Sequence, residues 1–344
     1  MAKSFYYYII VSVIAALAFF VQPSFADGKA QNRYVGVNLA GAEFNAKKIP
    51  GRLNKDYIYP SRKDFDYFIA HGFNTFRIPF RWERLQPELG GEFKAIELRE
   101  LDKVVGYATA KGATVILDPH NYAIYSHHDI GSEEVPNAAF AGFWAKLADR
   151  YKANPRVFFG LMNEPFRIRA DTWRRAVDAA IHAIRATGAR NLILVPGTIW
   201  SGAHSWQNMR KGGSNARAFR DLTDPGKNIA FEVHQYFDHD YSGQSKSCSR
   251  GAGARVAIER FTKWLRENKH RGFLGEFGVA DNEECLKALD AVLRQLGKDS
   301  DVWLGWTYWA AGAWWGNYMF SVHPSKDGEP KPQLKVLKRY TGNP

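Results

Sequence analysis

Short apolar runs alternate with longer amphipathic stretches along most of the chain. The first run, Tyr34-Val35-Gly36-Val37-Asn38-Leu39, reads as a strand. Residues 61–71 bring Phe65, Phe68 and Ile69 round at helical spacing, and Gly72 stops them. The alternation then repeats. Further strands are expected at residues 73–80, 114–118, 157–162, 191–196, 228–236, 272–277 and 302–309. Helices are expected at residues 97–111, 138–151, 171–187, 255–270 and 282–296, with a closing helix at 334–340. Gly112 and Gly188 stand just beyond two helix ends, and Asp171 is placed as an N-cap. Residues 201–227 show no clear period and read as a long rim loop with at most a poor helix.

Strands that are short and apolar on both faces imply a parallel sheet covered by helices. About eight strand–helix units follow one another with no break in composition. They point to α/β architecture as a single (β/α)₈ TIM barrel rather than two doubly wound halves.

The N-terminus departs from this pattern. Lys3 precedes an apolar run to Val21, and Pro23-Ser24-Phe25-Ala26 places small residues before a cleavage point. Residues 1–26 read as a secretory signal peptide, the alternative being an uncleaved membrane anchor. The barrel domain is then residues 27–344, secreted or periplasmic, with no membrane attachment after cleavage. The formal charge of +12 is spread over small basic groups without the long run of a nucleic-acid tail. No nucleic-acid partner is expected, and the basic groups read as solvated faces. The chain has only two cysteines, Cys248 and Cys285. An oxidising compartment makes their disulfide the default, and zinc is disfavoured because neither has a second cysteine at ligand spacing.

In a (β/α)₈ barrel the active site lies at the carboxyl ends of the strands. Polar residues that close apolar runs therefore carry the functional signal. Arg77 lies in the second strand. His120 and Asn121 follow the third, and Asn163 and Glu164 end the fourth. His234 and Tyr236 lie two apart on the sixth, hence on the same side. Glu276 ends the seventh strand and Trp309 the eighth. Two carboxylates without a metal-ligand cluster suggest glycoside hydrolysis. One would protonate the leaving oxygen, and the other would attack the sugar carbon or activate water. Tyr236 and Arg77 are suited to hold the attacking carboxylate ionised, and Asn163 to bind the sugar 2-hydroxyl.

Five segments then carry a resemblance. They are Phe76-Arg77-Ile78-Pro79-Phe80, Asp118-Pro119-His120-Asn121-Tyr122, Leu161-Met162-Asn163-Glu164-Pro165, Val233-His234-Gln235-Tyr236 and Gly275-Glu276-Phe277-Gly278. In order and spacing they resemble the strand-end motifs of glycoside hydrolase family 5. The resemblance implies a retaining enzyme with Glu164 as acid/base and Glu276 as nucleophile. It implies supporting or substrate-binding places for Arg77, His120, Asn121, Asn163, His234, Tyr236 and Trp309. Residues 196–206 and 308–316 resemble the endo-β-1,4-glucanase branch. That likeness implies stacking platforms at Trp200, Trp206, Trp309, Trp314 and Trp315, and a Cys248–Cys285 disulfide.

The expected reaction is cleavage of internal β-1,4-glucosidic bonds in cellulose or soluble β-glucan by double displacement, with no cofactor and no metal. The substrate is the expected partner, and the protein is expected to be a monomer. Mixed-linkage glucan, xyloglucan and mannan are alternative substrates. A non-catalytic carbohydrate-binding barrel and a metal-assisted hydrolase are the other classes.

Overall fold

The computed structural model describes Met1, residues 32–325 and residues 328–342. The expected signal peptide lies outside the described residues apart from Met1. Eight parallel strands close into a barrel in sequence order. They are β1 Tyr34–Leu39, β2 Thr75–Phe80, β3 Thr114–Pro119, β4 Val157–Gly160, β5 Ile193–Pro196, β6 Ile229–His234, β7 Gly272–Glu276 and β8 Trp303–Ala311. The covering helices are α1 Arg62–Ala70, α2 Ala95–Ala110, α3 Asn137–Tyr151, α4 Ala170–Ala186, α5 Gly251–Glu267, α6 Glu283–Lys298 and α7 Pro332–Leu337. Between β5 and β6 stand only a 3₁₀ turn, Ala203–Ser205, and a one-turn helix, Asn215–Ala218. The aperiodic stretch 201–227 is thus the rim element its sequence suggested. None of the described helices is long and apolar enough to cross a membrane.

Most boundaries fall within a few residues of expectation. Asp171 is not the N-cap of α4. Arg169 holds that position with extended backbone, and Asp171 lies in the first turn. There its carboxylate pairs with Arg169 and faces the positive end of the helix.

The strand interior explains where the chemistry sits. Alternate residues face opposite sides of a strand. Ile116, Phe158, Leu192, Leu194, Ala230 and Phe273 form a small apolar cluster distinct from the main core. Leu192 stands just before β5 and the others lie on the strands; together they make the barrel floor. Two positions further along the same inward face stand Asp118 after Ile116, and Glu232 after Ala230. Asn38 and Arg77 are buried at the same level. A polar layer therefore lies directly on an apolar floor, towards the carboxyl ends of the strands.

β7 breaks this alternation. Val233 pairs with Leu274, yet His234 pairs with Glu276, so Gly275 is an extra residue in β7. Such a bulge re-aims the next side chain. It turns Glu276 inward, where strict alternation from Phe273 would have turned it out. Gly275 is required there, because a Cβ on it would lie 2.1 Å from Glu232 Oε1.

Candidate active site

Arg77 is the hub of the polar layer. It is fully buried, and its guanidinium reaches five partners. Nη1 lies 2.8 Å from Glu276 Oε1, 3.0 Å from Asp118 Oδ2 and 2.9 Å from Asn38 Oδ1. Nη2 donates to Asn163 Oδ1 at 2.9 Å, and Nε lies 3.0 Å from Glu232 Oε1. Burial alone would weaken its charge, but Asp118, Glu232 and Glu276 outweigh that and keep it cationic. A buried arginine with this many carboxylates fixes their positions, since its planar fork has a set geometry.

Glu276 is 4% exposed and holds both oxygens in hydrogen bonds: Oε1 accepts from Arg77, and Oε2 accepts from the Tyr236 hydroxyl at 3.0 Å. Burial pushes its carboxyl above the usual range, while His234 and Arg77 pull the other way. Glu164 lies across from it and is more open, with 15% side-chain exposure. Its φ of 41° places it in the left-handed region, uncommon for a residue with a side chain. Outliers of this kind persist where surrounding structure enforces them, often at functional sites. Here the enforcement includes the amide of Asn163, which donates to Pro119 O at 3.0 Å, and the Asn163 carbonyl, which accepts from Tyr122 N at 3.0 Å.

His234 stands between the two glutamates. Its Nδ1 is 2.7 Å from Glu164 Oε1 and 3.5 Å from Glu276 Oε2, and its Nε2 is 3.4 Å from Glu232 Oε1. Burial alone would discharge it, but Glu276, Glu164 and Glu232 raise it to about 10. One oxygen of Glu164, one of Glu276 and a nitrogen of His234 lie within 4.8 Å of one another. These are the ligand types a metal ion would use. The ring nitrogen that faces both carboxylates is already bonded to Glu164.

His120 is buried under Trp309, whose ring stacks on it at 5.5 Å with 17° between planes. Its Nδ1 meets Asp118 Oδ2 at 2.8 Å, and its Nε2 meets Asn163 Nδ2 at 3.1 Å. Burial, with Arg77 and Arg81 nearby, holds it neutral, down at about 3. Asn121 takes a supporting place only. Its amide is used up by Trp82 N, Glu83 and Ile124 O, so it stitches the loops after β2 and β3 together and turns no group to the cleft.

The expected aromatic platforms divide. Trp200 is 51% exposed and stacks on Phe166 at 5.1 Å, with 14° between planes. Trp314 is 39% exposed, and Trp315 stacks on Tyr318 at 4.3 Å. Trp206 is a correction. It is 1% exposed and packs against Phe219, Phe231, Phe261 and Trp264, so it is core and not a platform. The disulfide joins Cys248 to Cys285, tying the loop after β6 to the start of α6.

Four buried polar residues of the site were not singled out from the sequence: Asn38, Glu43, Asp118 and Glu232. Asp118 and Glu232 each stand two residues before a histidine that was. The strand period of two, read backwards from His120 and His234, would have found both. Glu43, just beyond β1, accepts from Gly41 N, and burial pushes it up to about 8.

Known proteins resemble this chain along nearly its whole length. The family model described as Cellulase (glycosyl hydrolase family 5) matches residues 37–312. An endo-β-1,4-glucanase B of Aspergillus niger is 38% identical over 308 residues, covering 89% of this chain and 90% of that one. XacCel5A, solved in complex with cellopentaose, is 53% identical with a TM-score of 0.88 over 90% of this chain and 99% of its own. The Pseudomonas stutzeri endoglucanase Cel5A, solved with cellobiose, is 34% identical with a TM-score of 0.81, covering 90% and 93%. With the match running from β1 to the end of β8, through every strand that feeds the polar layer, the chain belongs to glycosyl hydrolase family 5.

Proposed function

We propose that Glu164 and Glu276 are the acid/base and the nucleophile of a retaining endo-β-1,4-glucanase. The observation that carries this reading is the unequal treatment of two neighbouring carboxylates. Glu276 is fixed by Arg77 and Tyr236 on both oxygens, which favours its charged form and holds it for attack on the anomeric carbon. Among the described residues, no arginine forms an ion pair with Glu164. Its side chain meets His234 Nδ1 at 2.7 Å and is more open than that of Glu276, which suits a group that must exchange protons with the leaving oxygen and then with water. The close approach of the two carboxylates also favours retention, since inverting pairs stand about 6.5–9.5 Å apart to admit a water.

In the first step Glu276 displaces the leaving oxygen while Glu164 protonates it, giving a glycosyl-enzyme ester. In the second, Glu164 takes a proton from water, which attacks the same carbon and frees Glu276. Asn163 holds the sugar 2-hydroxyl, and Trp309, Trp200, Trp314 and Trp315 supply apolar faces along the glucan. The reaction needs no cofactor. The substrate is a β-1,4-glucan, preferred in soluble or amorphous form. The names and bound cello-oligosaccharides of the relatives support that choice over mannan. The protein acts as a secreted or periplasmic monomer, free of the membrane once residues 1–26 are removed.

Product analysis on cello-oligosaccharides with anomer detection tests the whole reading. Internal cleavage with retained β-configuration is expected, and an α-product would overturn it. The roles separate on substitution. Glu276→Ala should lose activity on every substrate. Glu164→Ala should keep first-step cleavage of an activated aryl cellobioside, whose leaving group needs little protonation. Equal loss on activated and natural substrates would mean that the roles are misassigned.

A further inference from the structure

We infer that Asp118 is a positioning residue for this reaction: by holding the proton of His120 on Nδ1 it dictates which way the Asn163 amide faces the sugar. The inference rests on the proposed reading of Asn163 as the group over the 2-hydroxyl.

One buried chain of contacts runs from Asp118 through His120 and Asn163 to Arg77. Asp118 is 1% exposed, and its Oδ2 lies 2.8 Å from His120 Nδ1. Burial pushes Asp118 up to about 7, and above that pH it is a carboxylate, which only accepts, so the proton of the neutral ring sits on Nδ1 and Nε2 is left as an acceptor. Nε2 in turn lies 3.1 Å from Asn163 Nδ2, which must donate to it. That fixes Asn163 Oδ1 toward Arg77 Nη2, which donates at 2.9 Å. The two ends of the amide are thereby locked by opposite requirements.

The other tautomer breaks every link. A proton on Nε2 would face the Asn163 N–H, donor against donor. Flipping the amide to relieve that clash would turn Nδ2 on to Arg77 Nη2, again donor against donor. Rotating the ring would bring no relief, since a half-turn swaps nitrogens for carbons and loses the contacts to both Asp118 and Asn163. With Asp118 in place, one Asn163 N–H is spent on His120. The second has no protein partner among the described residues, so it is free to meet a sugar hydroxyl.

Asp118 also neutralises Arg77 at 3.0 Å, so simple loss of activity would not separate the two roles. The tautomer role predicts something narrower. The 2-hydroxyl contact is worth several kcal/mol in such transition states, so an aryl β-cellobioside should outpace its analogue lacking that hydroxyl by on the order of 100-fold in kcat/KM. Intrinsic reactivity cancels when this ratio is compared between variants. Asn163→Ala should collapse it. Asp118→Ala should collapse it to a similar value. Asp118→Asn should keep it near that of the unaltered protein, because the amide oxygen still accepts from His120 Nδ1 although the charge facing Arg77 is gone. An unchanged ratio in Asp118→Ala, or equal slowing of both substrates by Asp118→Asn and Asp118→Ala, would assign Asp118 to charge neutralisation alone and overturn the inference. An unchanged ratio in Asn163→Ala would instead overturn the reading of Asn163 itself. The tautomer can also be read without any substitution. ¹⁵N NMR of the unaltered enzyme should find His120 protonated at Nδ1, and a proton on Nε2 would refute the proposal whatever the variants do.

Discussion

As the proposed nucleophile Glu276 must be charged to attack, yet it sits where charge is costly. Burial raises its carboxyl above the ordinary value near 4.5, and Arg77, Tyr236 and His234 compensate only in part. The protonated form cannot act as the nucleophile. The acid limb of kcat/KM is therefore expected above that of an ordinary glutamate, with activity lost as pH falls through the raised value. Tyr236→Phe removes a donor that favours the anion, so it should move that limb to higher pH as well as slow the reaction. A pH profile on an aryl cellobioside measures both, and a limb that moves to lower pH would contradict the assignment. Glu43 allows the corresponding test on stability. Its carboxyl is pushed from 4.5 to about 8 by burial, so the folded protein binds a proton there that the unfolded chain has released. That group costs no stability below about pH 4.5 and costs progressively more as pH rises to about 8, at about 1.4 kcal/mol per pH unit. Glu43→Gln should raise the melting temperature at pH 7–8 and leave it nearly unchanged at pH 4. An increase of equal size at both pH values would rule out titration as the cause.

The individual strands and loops show what the residue pattern conveys and what it hides. Alternation of apolar runs and helical periods located every barrel strand, and polar residues ending those runs located Glu164, His234 and Glu276. The inward aim of Glu276 was not legible, because it depends on the extra residue Gly275, and a bulge has no period of its own. Asp118 closes the third apolar run but is overshadowed there by His120, and Glu232 stays hidden because it lies inside an apolar strand, where a carboxylate has no place unless an arginine such as Arg77 meets it there. Trp206 misled for a related reason. Sequence places it beside Trp200 on one rim segment, but rim segments also need anchors. Ile199, Trp200 and Ser201 all have φ near 50–60°, a left-handed run that costs roughly 1–2 kcal/mol per residue. Bonds from Trp200 N to Pro165 O, from His234 N to Ser201 O and from Ser201 Oγ to Glu232 O hold the run, and buried Trp206 pins its far end. Trp206→Ala should therefore cost about 3–5 kcal/mol of stability, as truncation of a fully buried aromatic does. Denaturant unfolding would measure this. A loss under 1 kcal/mol would return Trp206 to the surface.

At the scale of the whole molecule, the barrel is a floor carrying an open rim, and the rim presents the exposed aromatic rings that a glucan would meet. Two aromatic groups stand on the rim. Trp309, Trp315 and Tyr318 belong to β8 and the loop after it. Trp200 stacks on Phe166, which is only two residues beyond Glu164. A leaving group must lie next to its acid. If Glu164 protonates it, the Trp200–Phe166 face receives the sugars that depart, and the β8 group receives the sugars that stay on Glu276. Trp200→Ala should then lower kcat/KM on cellopentaose by roughly 10-fold, the worth of one aromatic face. It should leave an aryl cellobioside, which has no departing sugar, nearly unaffected. Cleavage of cellopentaose should also shift toward products that place fewer sugars beyond the broken bond. Equal slowing on both substrates would move Trp200 to the retained side, and with it would reverse the direction in which the chain lies across Glu164 and Glu276.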